Sequence, residues 1–205
     1  MNKLFLTTGL AALMATAASA GTVTYDNGGS TLSCGAAVSC VQNGNLQVIL
    51  GGTLTITYNP GSGTNVVTPS LINLGNLATG GTGSALLASG VVLNINVNST
   101  PPGAAGLIQS GNINGSISTN SSTAFITFSP NNTTTSFGTL PGVVIGGAVT
   151  YQVTQTSLGL VPPTDGNPLG QTTIQGAVTQ APEPGTMLLL SGGLIGIYFT
   201  RKRIS

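Results

Sequence analysis

The stretch "VLNINVN" (residues 92–98) decides how this chain folds. Three aliphatic residues alternate in it with three asparagines, Asn94, Asn96 and Asn98. Successive side chains of a β-strand point to opposite faces of the sheet, so this period of two places Leu93, Ile95 and Val97 on one face. The pattern predicts a half-buried strand of an antiparallel sheet, with the asparagines directed outward.

The same alternation recurs along the chain. It is clear in "LTITY" (54–58) and in "AVTYQVTQT" (148–156), where Val149, Tyr151 and Val153 alternate with polar residues. Further strand candidates are Val23–Tyr25, Asn45–Leu50, Leu71–Leu77, Ile113–Thr119, Ala124–Phe128 and Thr172–Thr179.

Turn-forming sequences separate these runs. Examples are "DNGGS" (26–30), "NPGSG" (59–63) and "TPPGAAG" (100–106), in which Gly, Pro, Asn and Asp each favour turns. About nine short strands therefore predict an all-β body, residues 21–180, with a β-sandwich or jelly-roll-like fold. Gly115 and Gly176 fall in the middle of strand candidates, which predicts a bulge or a close backbone approach at each.

Charge is nearly absent from the body. Charged residues make up 3% of the chain, against roughly 25% in ordinary globular proteins. Between residues 4 and 182 only Asp26 and Asp165 are charged, and the chain has no histidine.

This composition excludes several classes of site. A body without His, Glu, Lys or Arg cannot assemble a Ser-His-Asp triad, a paired-carboxylate site or a histidine-rich metal site. It cannot neutralise phosphates with cationic side chains, so nucleic-acid binding is not expected. We therefore expect no catalytic residues, no bound metal and no cofactor, and we expect that the protein is not an enzyme.

The N-terminus, "MNKLFLTTGLAALMATAASA", has the three parts of a secretory signal peptide. Lys3 is a basic start, Leu4 to Ala17 form an apolar run, and Ala18-Ser19-Ala20 matches the A-x-A cleavage pattern. A buried N-terminal helix is the alternative. We expect residues 1–20 to form a helix that directs export, and signal peptidase to recognise Ala18 and Ala20 and to cut before Gly21.

The C-terminus, residues 181–205, also has an ordered composition. Pro182-Glu183-Pro184 precedes an uncharged stretch, Thr186 to Thr200, and Arg201-Lys202-Arg203 follow it. As a helix, this stretch would be about 22 Å long, short of the ~30 Å hydrocarbon core. It predicts a short transmembrane helix, with Arg201, Lys202 and Arg203 as a cytoplasmic stop-transfer cluster and the body outside. A core helix and a permanent anchor are the alternatives.

The tail resembles the PEP-CTERM sorting signal of bacterial exported proteins. The resemblance rests on Pro182, Glu183 and Pro184, on the apolar stretch and on the terminal basic cluster. It departs from the family at Ala181, where Val is frequent, and in having Ile204-Ser205 after the basic cluster. Tails of this kind are sometimes labelled an ice-binding-protein C-terminal domain, a label that describes no activity of the tail.

The resemblance implies a processing partner and a route. Membership implies recognition by exosortase, a membrane protease-transpeptidase, and removal of the tail near Pro182-Glu183-Pro184. It also implies release or attachment outside the cell. We expect a precursor anchored in the inner membrane and then a product at the cell surface or outside the cell.

Cys34 and Cys40 are the two cysteines of the chain. A signal peptide implies an oxidising compartment, where a pair of thiols usually forms a disulfide. Metal binding is the alternative, but two thiols without His or a second pair cannot complete a zinc site. We expect a disulfide between them.

The acids and threonines also allow two readings. Asp26 and Asp165 lie in turn sequences, and we expect them to shape turns rather than to bind calcium. Two rows of threonines, Thr22/Thr24 and Thr53/Thr55/Thr57, could bind ice or a glycan, although Thr also simply favours strands.

The sequence leaves two functions open. The first is an exported, surface-associated or extracellular-matrix structural protein, whose uncharged sheet edges could pair in self-association. The second is a polysaccharide- or ice-binding module at the cell surface. Exposed tyrosines near a groove would favour carbohydrate binding, but Tyr25, Tyr58 and Tyr151 lie in strand patterns, which predicts core positions.

Overall fold

The computed structural model describes most of the body. The described residues are 21–35, 39–100, 104–128, 135–137, 149–164, 170–180 and 192–193. The predicted signal peptide, with Ala18 and Ala20, lies outside them. The predicted sorting residues Pro182, Glu183, Pro184, Arg201, Lys202 and Arg203 also lie outside them.

The described residues form fourteen β-strands. In chain order they are β1 (Thr22–Asp26), β2 (Thr31–Cys34), β3 (Cys40–Asn43), β4 (Gln47–Leu50), β5 (Leu54–Pro60), β6 (Ser62–Val67), β7 (Ser70–Gly80), β8 (Ser84–Thr100), β9 (Ala104–Ser118), β10 (Phe125–Phe128), β11 (Thr135–Phe137), β12 (Val149–Val153), β13 (Ser157–Gly159) and β14 (Gln171–Gln180).

These strands build two curled sheets of seven strands each. The first sheet has the order β13-β10-β9-β8-β1-β6, and β2 pairs with β8 beside this path. The second sheet has the order β11-β12-β14-β7-β5-β4-β3. All strand pairs are antiparallel, from the β1–β6 pair to the long β8–β9 hairpin. The predicted all-β class is confirmed.

The strand number predicted from the sequence is too low. The missed strands are short: β2, β3, β6, β11 and β13 have three to six residues each. Such strands contain too few alternating residues to stand out. The hairpin of β8 and β9 is also longer than predicted, because β9 already begins at Ala104, within the predicted turn sequence.

Alternating apolar side chains from both sheets form one core. Leu93, Ile95 and Val97 are completely buried, as the opening stretch predicts. The inward residues of the other two clear patterns are buried in the same cluster: Leu54, Ile56, Tyr58, Val149, Tyr151 and Val153. The burial of these aliphatic and aromatic side chains is the main favourable term in folding.

Several polar groups inside the core are paired across the two sheets. The Tyr25 hydroxyl donates to the Asn73 carbonyl oxygen at 2.9 Å, and the Ser99 and Tyr151 hydroxyl oxygens lie 2.7 Å apart. Burial raises the pKa of Tyr25, Tyr58 and Tyr151 above its usual value, because burial disfavours the charged phenolate. All three tyrosines are buried, which confirms their predicted core positions.

The predicted turn at residues 59–63 is wrong. Gly61 instead joins β5 of the second sheet to β6 of the first, so the chain passes between the sheets almost without interrupting the strands. A Cβ atom at Gly61 would lie 2.1 Å from the Asn73 carbonyl oxygen. Only glycine lets the backbone come this close to β7.

Both predictions for mid-strand glycines are confirmed. Gly115 has a φ of +100° and lies where the β8–β9 register shifts, between the pairs Leu87↔Gly115 and Val91↔Ile113. At Gly176, a Cβ atom would lie 2.9 Å from the Gln152 carbonyl oxygen of the neighbouring strand β12. The first is a bulge and the second a close approach.

The predicted membrane helix falls largely outside the described residues. Of Thr186–Thr200 only Gly192 and Gly193 are described, and both are helical. Within the described part of the chain, no helix has the length and apolar character that crossing a membrane requires.

Replacing Gly115 by Ala should destabilise the body by about 2 kcal/mol or more, because the new Cβ would be strained by the positive φ. It would also lie 2.3 Å from the Thr123 carbonyl oxygen. Gly159→Ala is the matched control, since a Cβ there meets no atom within 4 Å. Urea unfolding measures both, and equal losses would contradict this account of the bulge.

Candidate functional site at the ends of the body

The acidic residues form no metal site within the described residues. No group of three or more His, Cys, Asp or Glu side chains is found there. One Asp26 carboxylate oxygen accepts a hydrogen bond from the Gly28 amide at 3.1 Å. This bond closes an Asx-type turn, as predicted for Asp26. Asp165 lies outside the described residues.

The two threonine rows do not share a face. Thr22 and Thr24 lie in the first sheet, whereas Thr55 and Thr57 lie in the second. Some of their hydroxyl groups also have partners: Thr57 Oγ1 accepts a hydrogen bond from Gln47 Nε2 at 2.9 Å. The rows therefore do not form one continuous threonine surface.

The two cysteines meet beside strand β4. Cys34 ends β2 and Cys40 begins β3, and their Sγ atoms lie 1.98 Å apart with Cα atoms at 5.8 Å. These distances fit the expected disulfide. It would connect β2 of the first sheet to β3, an edge strand of the second.

The most informative site is where the tail leaves the body. Strand β14 lies inside the second sheet, between β12 and β7. Its pairing continues to its last residue, since Gln180 pairs with Val149 and Val178 pairs with both Tyr151 and Ser70. The residues expected to be the sorting motif begin two positions later, so the tail leaves from an interior strand.

The first residue of the expected mature chain lies at the same place. Thr68 Oγ1 lies 3.1 Å from the Gly21 carbonyl oxygen and 3.4 Å from Gln180 Oε1. Its single proton can serve either acceptor. The Thr68 amide also donates to the Gly21 carbonyl oxygen at 2.8 Å. We call Gly21, Thr68 and Gln180 the terminal cluster.

Close packing in the terminal cluster depends on small size at its first residue. A Cβ atom at Gly21 would lie 1.8 Å from Gln180 Oε1, so any larger residue would displace the Gln180 side chain. Thr68 itself is buried. The cluster therefore brings the expected signal-peptidase junction before Gly21 next to the end of the strand that precedes the expected sorting motif.

Sequence reasoning missed this cluster. Thr68 is separated from Gly21 by 47 positions and from Gln180 by 112 positions. No local pattern marks it, because an uncharged residue beside a proline reads as an ordinary turn. Only the strand order, which places β1, β6 and β7 around the end of β14, brings the three residues together.

Comparisons with known proteins identify the tail. A family model of the PEP-CTERM protein-sorting motif matches residues 180–203. The chain thus carries this motif at its C-terminus, as the sequence resemblance predicted, and the match begins at Gln180 of the terminal cluster. No curated protein and no solved structure matches the chain significantly.

The expected disulfide makes a prediction about thiols. A thiol assay on the denatured, unreduced chain should detect no free thiol, and reduction should release two. Cys34→Ser with Cys40→Ser should lower the free energy of unfolding by about 2–3 kcal/mol, because the short loop is no longer closed in the unfolded chain. Two reactive thiols before reduction would contradict the pairing.

The Thr68 hydroxyl should stabilise the junction. Thr68→Val keeps the shape of the side chain but removes the hydrogen bond to Gly21, and we expect a loss of about 1 kcal/mol in urea unfolding. Thr173→Val is the control, since Thr173 lies exposed on β14, and should change stability by less than about 0.5 kcal/mol. An unchanged stability of the Thr68 variant would show that its hydroxyl does not hold the two ends.

Proposed function

We propose that this chain is an exported structural protein of the cell surface or extracellular matrix, sorted by exosortase and without catalysis of its own. The observation that carries the proposal is the sorting motif at residues 180–203. Such a motif implies an exported protein that exosortase processes. In this proposal exosortase recognises Pro182, Glu183 and Pro184.

The two ends of the chain support a defined route. Residues 1–20 would direct export and be removed by signal peptidase at Ala18 and Ala20. The stretch Thr186–Thr200 would hold the precursor in the inner membrane, with Arg201, Lys202 and Arg203 in the cytoplasm. Cleavage near the motif would then pass the body to the cell surface or the extracellular space.

The body has features that suit a structural role. We interpret its two sheets and shared core as a β-sandwich. Asp26 is the only charged side chain among the described residues of the body. Net charge keeps proteins apart in solution, so a body with so little of it can approach other copies closely.

Uncharged side chains on the outer face of the second sheet form hydrogen bonds with one another. Asn43 Nδ2 donates to Gln47 Oε1, and Gln47 Nε2 donates in turn to Thr57 Oγ1 on the neighbouring strand β5. Asn59 Nδ2 donates to Asn76 Oδ1 at 2.9 Å. Rows of amides and hydroxyls like these suit a surface that packs in a matrix better than a reactive site.

A polysaccharide-binding module is the second candidate. One feature favours it: Phe125, on the outer face of the first sheet, is 41% exposed and pairs with Asn114 on β9. An exposed aromatic ring beside an amide is a combination that binds sugars. Tyr25, Tyr58 and Tyr151 contribute nothing to such a site, because each of them is buried. Ice binding is weaker still, since the threonine rows lie in different sheets.

The sorting proposal is tested by intact-mass measurement of membrane and extracellular fractions from cells with and without exosortase. We expect the extracellular form to lack Arg201–Arg203 when exosortase is present, and the membrane form to retain them when it is absent. Glu183→Gln tests the motif itself and should retain the tail.

Asp165→Asn is the matched control, because it removes the other acid of the C-terminal half and lies outside the motif. It should be processed like the unaltered chain. If the tail is retained in both strains, the chain is a simply anchored protein and the sorting proposal is wrong.

A further inference from the structure

We propose that one end of the body, the end that carries the terminal cluster, lies directly against the lipid surface in the membrane-bound precursor. The residues that would meet the lipid are Val67 and Leu71, on either side of Thr68. This inference rests on the proposed sorting function, because it requires the tail to be in the membrane.

Both expected membrane segments leave the body at this end. Three residues, 18–20, separate the end of the signal peptide's apolar run at Ala17 from Gly21, and five residues, 181–185, separate Gln180 from the start of the tail's apolar stretch at Thr186. Because Gly21 and Gln180 meet at Thr68, the two segments would enter the bilayer side by side.

The connecting segments are too short to hold the body away from the bilayer. An extended chain spans at most ~3.3–3.6 Å per residue, so residues 181–185 reach about 18 Å and residues 18–20 about 11 Å. The headgroup layer on each side of the hydrocarbon core takes up roughly 5–8 Å of that reach. The terminal cluster therefore lies at or just above the headgroups.

Exposed aliphatic side chains mark this same end. Val67 is 56% exposed and Leu71 is 71% exposed. Val67 pairs with Thr22 at the start of β1, and Leu71 pairs with Ala177 near the end of β14. Leucine and valine side chains enter the interface between headgroups and acyl chains favourably, and no charged side chain is described at this end.

The opposite end of the body supplies matched controls. Strand β7 begins beside the terminal cluster at Ser70 and runs away from it to Gly80, and β8 returns from Ser84 to Thr100, which pairs with Thr24. Leu86, at the distant end of β8, is 73% exposed. Val41 is 61% exposed. It pairs with Ile49, which pairs with Thr55, and Thr55 pairs with Gly80, so Val41 lies level with that distant end.

The chain contains no tryptophan, so a single introduced Trp reports its own surroundings. The experiment uses full-length Leu71→Trp and Leu86→Trp chains, reconstituted in phosphatidylcholine vesicles with and without a nitroxide on the headgroup. Both substituted positions are exposed, so folding should be retained. Flotation of the vesicles first establishes that the chain is anchored in the membrane.

We expect the nitroxide to quench Trp at position 71, with an emission shift to shorter wavelength, and to leave Trp at position 86 unquenched. The pair Val67→Trp and Val41→Trp repeats the test if either leucine variant fails to fold. Equal quenching at both ends in chains that float would overturn the proposed orientation and leave the anchor intact. Chains that do not float would overturn the anchor itself, and the inference with it.

Discussion

The structure depends on alternation, because the burial of apolar side chains in one shared core is the main favourable term in its folding. Every second residue of the main strands must therefore face one shared core, as Leu93, Ile95 and Val97 do. A shift of one residue in any of these strands would exchange aliphatic side chains for asparagine or threonine. The burial pattern thus determines the register of both sheets.

The same constraint explains how the polar groups are arranged. Inside the core, tyrosine and asparagine side chains bond to backbone oxygens of the facing sheet, as Asn27 Nδ2 does to the Leu74 carbonyl oxygen at 2.8 Å. Such bonds matter because an unpaired buried polar group costs about 1–3 kcal/mol. Outside, amides and hydroxyls bond to each other along the sheet. The result is a body with almost no charge.

Part of this fold could be predicted from the sequence, and the reason lies in the length of the strands. In β5, β8 and β12 several alternations succeed one another, so the buried faces were predicted correctly. Strand β6 contains Gly63 and Asn65 in six residues and shows no such pattern. The passage between the sheets at Gly61 was read as a turn, because a glycine that permits close contact looks the same in sequence as one that permits a turn.

The candidate site could likewise be predicted only in part. The sorting motif could be recognised because its residues are consecutive, and the cysteine pair because it is close in sequence. The terminal cluster could not, since Gly21, Thr68 and Gln180 meet only through the order of strands in both sheets. Long-range contacts between uncharged residues leave no local signal, and only the fold places them together.

The central claim is that the sorting motif is attached to a firmly held interior strand whose end is fixed beside Gly21. Amide hydrogen exchange of the full chain tests it most directly, through the amides of Ala177 and Val178, the last residues of β14 that are paired on both sides. The account predicts that they exchange as slowly as the amides in the middle of β8, because both need extensive unfolding to open. Exchange as fast as in the edge strand β13 would show that the end of β14 is not held in the sheet, and would contradict the account.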